Sequence, residues 1–400
     1  MTIMDFTNCE FLEKIPDVSR IPYLLKLILD GCKNLVAVHP SVGYLKKLVL
    51  LSAVECYNLM SFPSSIDLTS LGSLFFCGCS RLKNFPKIEY QMKKLEYIDF
   101  RYTGIEELPL SIGHLVGVKQ LLLSGCTNLT NLPDGISKLQ QLEELSLDYT
   151  DIKELPSSSI GYLGKITTLD LEGCTNLMNL PDSIYQLHCL MILRLKGCEE
   201  LREILRLPPN VVSVEAKNCV SLEIFLEEVR RSHLLNTRNP PGPVGVSTAS
   251  PALQSLSTGN NVVTESNLLI QHDCPSSLKS LDLSGSASVS LPSWLNEFVG
   301  LEELYLKDCK KLEEIPELPP NIKYVDARGC TSLERFQFNT ANDLRMLEWI
   351  DFSGCPGLGE NMVDDLHIRL MSEVPFFHIM LVSVCLDFVG LIIETLSYSM

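Results

Sequence analysis

This 400-residue sequence predicts an α/β solenoid of leucine-rich repeats, and three observations predict it. Apolar residues recur as Leu-x-x-Leu-x-Leu-x-x-Cys-x-x-Leu, most cleanly at Ile166, Leu169, Leu171, Cys174 and Leu177. The ninth place of that unit falls at Cys9, Cys32, Cys56, Cys79, Thr103, Cys126, Thr150, Cys174, Cys198 and Cys219, at intervals of 21 to 24 residues, and again at Ser286, Cys309, Cys330 and Cys355. The second half of the unit repeats as Leu-Pro-Asp-x-Ile from Leu132 and from Leu180. Self-similarity at such a period marks units that bury their apolar faces only against neighbouring copies.

Each part of the unit has a physical role. Alternating leucines give a short strand with one face inward, and parallel strands stack about 4.8 Å apart. The ninth residue turns the chain and points under the next strand, where asparagine commonly bonds backbone groups; a cysteine thiol or a threonine hydroxyl has the donor to do the same. Proline then starts a short helical or 3₁₀ turn. Fourteen units result, forming a right-handed arc with a parallel sheet on its concave side and the turns on its convex side. At Thr103 and Thr150 the next apolar residue, Ile105 or Ile152, arrives one place early, so a tighter turn is expected there.

Repeats 1–10 occupy residues 1–226 and repeats 11–14 residues 278–358. Between them, 227–277 contains Asn-Thr-Arg-Asn-Pro-Pro-Gly-Pro-Val-Gly-Val-Ser-Thr, which has little to bury and reads as a flexible insertion. The first strand begins without a polar capping unit, so an upstream segment or a partner is expected to cover it. Residues 359–400 form an atypical tail, apolar from 376. Its run Phe376–Ile393 is broken by His378 and Asp387. A central aspartate costs roughly 2.5–3.5 kcal/mol in a membrane, so packing on the last repeat is favoured over a span.

Composition removes several function classes. A hydrophobic fraction of 46% supplies a core, while the net charge of −16 offers no basic face for nucleic acid. There is no leader-like N-terminus, and only Asn128-Leu129-Thr130 forms a sequon. Of 15 cysteines, eleven (Cys9, Cys32, Cys56, Cys79, Cys126, Cys174, Cys198, Cys219, Cys309, Cys330 and Cys355) hold the ninth place, and no Cys-x-x-Cys pair occurs. They read as free structural thiols in a reducing compartment rather than as disulfides or zinc ligands. Cys77 lies beside this series on the concave face. His39, His114, His188, His233, His272, His367 and His378 share no motif. Gly164-Lys165 lacks the flanking residues of a phosphate loop. No catalytic residue, cofactor or metal site is expected.

Three stretches carry a resemblance. They are Asp5–Ser19 with Leu29-Asp30-Gly31-Cys32-Lys33-Asn34-Leu35; Tyr102-Thr103-Gly104-Ile105-Glu106-Glu107-Leu108-Pro109; and Leu318-Pro319-Pro320-Asn321-Ile322 with Ala327-Arg328-Gly329-Cys330-Thr331-Ser332-Leu333-Glu334. Over about residues 1–358 the sequence resembles the leucine-rich-repeat portion of plant intracellular immune receptors of the Toll-like/nucleotide-binding class. That resemblance implies recognition of a pathogen effector or a host protein. It also implies a cytoplasmic location, with the nucleus as an alternative. In a full-length receptor the nucleotide-binding and Toll-like domains would be further partners. Those domains have no counterpart in these residues, so their enzymatic and switch functions are not carried over. The tail after Val374 is unlike the family's β-rich C-terminal domain and suggests a truncated or alternatively ended product.

The third, fifth and seventh places of each strand leave the core, which defines a candidate protein-binding face. It comprises Tyr97, Asp99, Arg101, Glu144, Ser146, Asp148, Thr168, Asp170, Glu172, Arg194, Lys196 and Lys217, joined by Tyr149, Tyr305 and Tyr324. Acid gives way to base along it, and its tyrosines and arginines have hot-spot character. The rival readings are a stand-alone scaffold of small-GTPase signalling, whose Leu-Pro and Ile-Gly units are similar, and a secreted ectodomain.

Overall fold

The computed structural model describes residues 2–204, 207–222, 224–225, 253–261, 277–291, 295–296, 298–337 and 346–358. The chain forms two compact units, Met1–Val211 and Val212–Met400. In the first, the strands Ile3–Asp5, Lys26–Ile28, Leu50–Ser52, Ser73–Phe75, Tyr97–Asp99, Gln120–Leu122, Glu144–Ser146, Thr168–Asp170 and Ile192–Arg194 pair in parallel, each with its sequence neighbour in the series. In the second, Ser213–Glu215, Ser255–Ser257, Ser280–Asp282, Glu303–Tyr305, Tyr324–Asp326 and Trp349–Asp351 do the same. Register is fixed because a slip by one residue would turn the leucines outward: Leu145, Leu169 and Leu193 align and are fully buried. Burying each such side chain contributes roughly 1.5–3 kcal/mol.

Behind the sheet lie 3₁₀ turns at Pro40–Tyr44, Leu110–His114, Asp134–Lys138, Ile160–Tyr162 and Asp182–Gln186. Pro109, Pro133 and Pro181 precede three of them with φ of −72°, −77° and −70°, the angle the ring imposes, so proline sets the entry. Consecutive turns approach closely: a Cβ on Gly135 would sit 2.4 Å from the Leu110 carbonyl oxygen.

The ladder of ninth residues lies within the core from Cys32 onward, Cys9 of the first rung being exposed. Cys126, Cys174 and Cys198 donate S–H to the carbonyls of Phe100, Leu147 and Leu171, each in the preceding rung, at 3.1, 3.2 and 3.2 Å. Cys309, Cys330 and Cys355 repeat the pattern. Threonine differs from the expectation. Thr103 and Thr150 donate to Phe100 and Leu147 of their own rungs at 2.8 and 2.6 Å. The C–O bond is shorter than C–S, and the hydroxyl closes its own turn instead of reaching back. The second turn found after each neighbouring cysteine is missing there, and Ile105 and Ile152 enter the core directly.

One expectation is corrected. Ser255–Ser257, placed by the sequence in a flexible insertion over 227–277, is a rung between Ser213–Glu215 and Ser280–Asp282. Leu253 and Leu256 fill the first two leucine places, Thr258 the third and Asn261 the ninth. Asn261 is buried and bonds the Ala216 carbonyl at 2.9 Å. The cysteine-based pattern passed over it because its ninth residue is asparagine and its third core place is a hydroxyl. The tail expectations for 359–400 lie outside the described residues; among those described, no helix is long and apolar enough to cross a membrane.

Candidate protein-binding face

Every described rung passes through a left-handed residue at the eighth place, immediately before the ninth, with φ between 56° and 81°. Glycine or a short Asn or Asp occupies it in most rungs, as a conformation disfavoured by a Cβ requires. Glu55, Tyr102 and Tyr149 break that rule at φ 58°, 57° and 56°. Each carries strain on the order of 1–2 kcal/mol.

The strand face is built from columns. At the fifth place, Asp99, Asp170, Asp282, Asp326 and Asp351 each accept from the backbone N–H two residues on, so these carboxylates help form the turn. Asp99 is only 7% exposed and is held bidentately by Arg101 at 3.0 and 2.7 Å. Ser146 is likewise 7% exposed. Neighbouring strands crowd this central column from both sides, so Asp99 and Ser146 do not offer the open surface expected of them.

Further along, charges meet across strands. Arg194 donates to Asp170 at 3.2 Å and Lys196 to Glu172 at 2.8 Å. Tyr149 also donates to Glu172, at 2.9 Å. Burial pushes the Asp170 carboxyl up from its ordinary pKa, with Arg194 only partly opposing it. Burial resists ionisation of Glu172 as well, but the bonds from Lys196 and Tyr149 outweigh it and leave its pKa lowered. The change from acid to base seen in the sequence is therefore a set of cross-strand ion pairs. Gln120 bridges to Glu144 at 3.0 Å, while Tyr97 is exposed and Thr168 half-buried.

In the second unit Lys217 pairs with Asp282. Tyr305 and Tyr324 are half-buried, their ring centroids 5.2 Å apart, and Tyr324 stacks on Trp349 at 4.1 Å. Burial, then Glu303, pushes the Tyr305 hydroxyl up to about 12. Arg328 forks onto Asp326 at 2.9 and 2.7 Å. Trp349 was missed in the sequence although it stands at the third place of its rung. Tyr102, at the same eighth place as Tyr149, was missed as well; its signal was the repeated Tyr-Thr pair at 102–103 and 149–150. Among the described residues, no three His, Cys, Asp or Glu could hold a metal ion.

Residues 118–336, more than half of the chain, match the family described as disease resistance protein RPS4B-like, leucine-rich repeats. The chain belongs to this family. Among relatives of this resistance-protein repeat module, the TMV resistance protein N of Nicotiana glutinosa is 30% identical over 340 residues, covering 80% of this chain and 25% of that protein. The disease resistance protein RPP5 of Arabidopsis thaliana is 36% identical over 111 residues, 28% of this chain and 8% of that one. The chain thus spans a quarter or less of the length of these relatives. Of solved structures, a leucine-rich-repeat protein of Leptospira interrogans is 18% identical over 94% of both chains, with a TM-score of 0.44. The functional domain of InlJ from Listeria monocytogenes, which includes a cysteine ladder, is 14% identical over 88% of this chain and 67% of that one, with a TM-score of 0.42. Likenesses at that level say nothing of function.

Proposed function

We propose that the strand face of the first unit is a protein-recognition surface which binds a pathogen effector or a host protein and thereby regulates defence signalling. The observation that most supports this reading is the division of labour on the face. The fifth-place aspartates serve the turns, whereas Tyr97, Tyr149 and Lys196 remain exposed beside half-buried Glu144, Asp148 and Glu172. Aromatic rings set among paired charges are the composition that concentrates binding energy at interfaces. Family membership supplies the defence context, and the nucleotide-binding and Toll-like domains of a full-length receptor would receive the signal. The setting proposed is the cytoplasm. No catalytic step is assigned to this face.

The test is proximity labelling in leaf cells with the full chain and with a Tyr97→Ala, Glu144→Lys, Lys196→Glu variant whose thermal unfolding matches the parent. Loss of a defined set of labelled proteins is expected. An unchanged set would contradict recognition through this face.

A further inference from the structure

We propose that Tyr102 and Tyr149 form a two-ring docking edge for a basic protein segment, one in polyproline II conformation that carries two arginines three residues apart. The proposal rests on the recognition reading of the first unit's face and gives it a partner chemistry.

The two tyrosines hold a backbone conformation that glycine takes in neighbouring rungs, yet they are 59% and 54% exposed, so core packing does not hold them there. Each ring lies over the glycine at the same place in the next rung. A Cβ on Gly125 would meet Tyr102 Cδ1 at 2.4 Å, and one on Gly173 would meet Tyr149 Cδ1 at 2.5 Å. The rings are thus laid along the turns with their opposite faces open. Strain kept at an exposed aromatic position, over a glycine small enough to receive it, is what a ligand platform requires.

The surroundings select the charge. Among the described residues, Asp148 accepts from Ser124 and makes no ion pair, and Asp151, two residues after Tyr149, accepts from Asn176 and makes no ion pair either. Arg101, the nearest cation to Tyr102 in sequence, is neutralised by Asp99. At Tyr149 the Glu172 carboxylate is already held by Lys196, but Asp148 has no such cation among the described residues; an open π-face beside a carboxylate is the recognition chemistry of guanidinium and ammonium groups, and the chain's net charge of −16 draws basic partners toward it.

Spacing narrows the ligand further. The strands Tyr97–Asp99, Gln120–Leu122 and Glu144–Ser146 pair in register, so the rings stand two strands apart, roughly 10 Å at about 4.8 Å per strand. A polyproline II segment rises about 3.1 Å per residue with three residues per turn, so side chains three positions apart share one face and match that distance.

The experiment uses the full chain and two synthetic peptides of equal composition, one with Arg-Gly-Gly-Arg and one with its arginines adjacent, titrated by ligand-observed NMR. Expected results are at least fivefold tighter binding of the spaced peptide, and loss of that preference in a Tyr102→Gly, Tyr149→Gly variant. Glycine is the residue this backbone prefers, so the variant keeps its fold. A Tyr102→Phe, Tyr149→Phe variant retains the ring faces and is expected to keep the preference. A preference below fivefold, its persistence in the glycine variant or its loss in the phenylalanine variant would overturn the proposal. If the glycine variant keeps the labelled partner set in leaf cells, the face still recognises protein and only the two-ring edge is wrong.

Discussion

In the first unit Tyr102 and Tyr149 stand apart, each exposed and each followed by a glycine rung, whereas in the second unit Tyr305, Tyr324 and Trp349 stack on one another across three successive strands. The difference comes from the column each ring occupies. Third- and fifth-place side chains rise from strands about 4.8 Å apart, close to the stacking distance of aromatic rings, so neighbours there satisfy each other. Eighth-place side chains leave a left-handed turn and fold over whatever follows. Rings in the first arrangement hold the solenoid together; rings in the second are left for a partner.

The largest way to break this comparison is Trp349→Ala. It removes a ring stacked on Tyr324 and should cost about 2–3 kcal/mol in the second unit, less than a full core truncation because the indole is only half-buried. Tyr149→Ala should cost under about 1 kcal/mol, its ring being exposed. Denaturant titration of both variants checks the contrast, and equal losses would refute it.

Next in size is Gly173→Ala. Its φ of 68° and the overlying Tyr149 ring both oppose a methyl group, for a cost of about 2 kcal/mol. Gly197→Ala meets no atom nearer than 3.7 Å and should cost about 1 kcal/mol through backbone strain alone. In a Tyr149→Gly background the two alanines should become equivalent, a coupling that a double-mutant cycle measures. Tyr149→Gly by itself should stabilise the chain by up to about 1 kcal/mol, since relief of strain exceeds the entropy that glycine adds to the unfolded chain.

The repeat unit was readable because leucine spacing, cysteine spacing and proline position all report one geometry. It failed at Ser255–Ser257, where Thr258 stands buried at a leucine place and the Asn261 amide bonds a carbonyl as the cysteine thiol does elsewhere, and a search tuned to apolar and thiol side chains passes over them. The strand face was readable as columns but not as accessibility. Nothing in the sequence shows that neighbouring rungs close over Asp99 and Ser146, or that Lys196 and Arg194 meet carboxylates one strand away. The shared left-handed turn of Tyr102 and Tyr149 was not readable, because the backbone angle that distinguishes the eighth place from a strand residue leaves no mark beyond the repeated Tyr-Thr pair.

The smallest expected effect concerns pH. Glu302 accepts from Lys279 and Lys323, and these bonds lower its pKa from 4.5 to about 2. A depressed carboxylate contributes stability that is present above its unfolded value and is lost as pH falls from about 4.5 toward 2. The group lies near the surface, where solvent screens the pairs, so the change is slight. Glu302→Gln should flatten the stability profile over that acid range and leave it unchanged near neutrality. An unaltered acid slope would show that the two bonds are not formed in solution.

The most direct test of the central claim, that the first unit's exposed rings face the partner while the second unit's stacked rings face each other, is site-specific photocrosslinking in leaf cells. A benzophenone amino acid would replace Tyr149 in one variant and Tyr324 in another. The account predicts a discrete crosslinked protein from position 149 and none from position 324. A crosslink from 324 alone would contradict it.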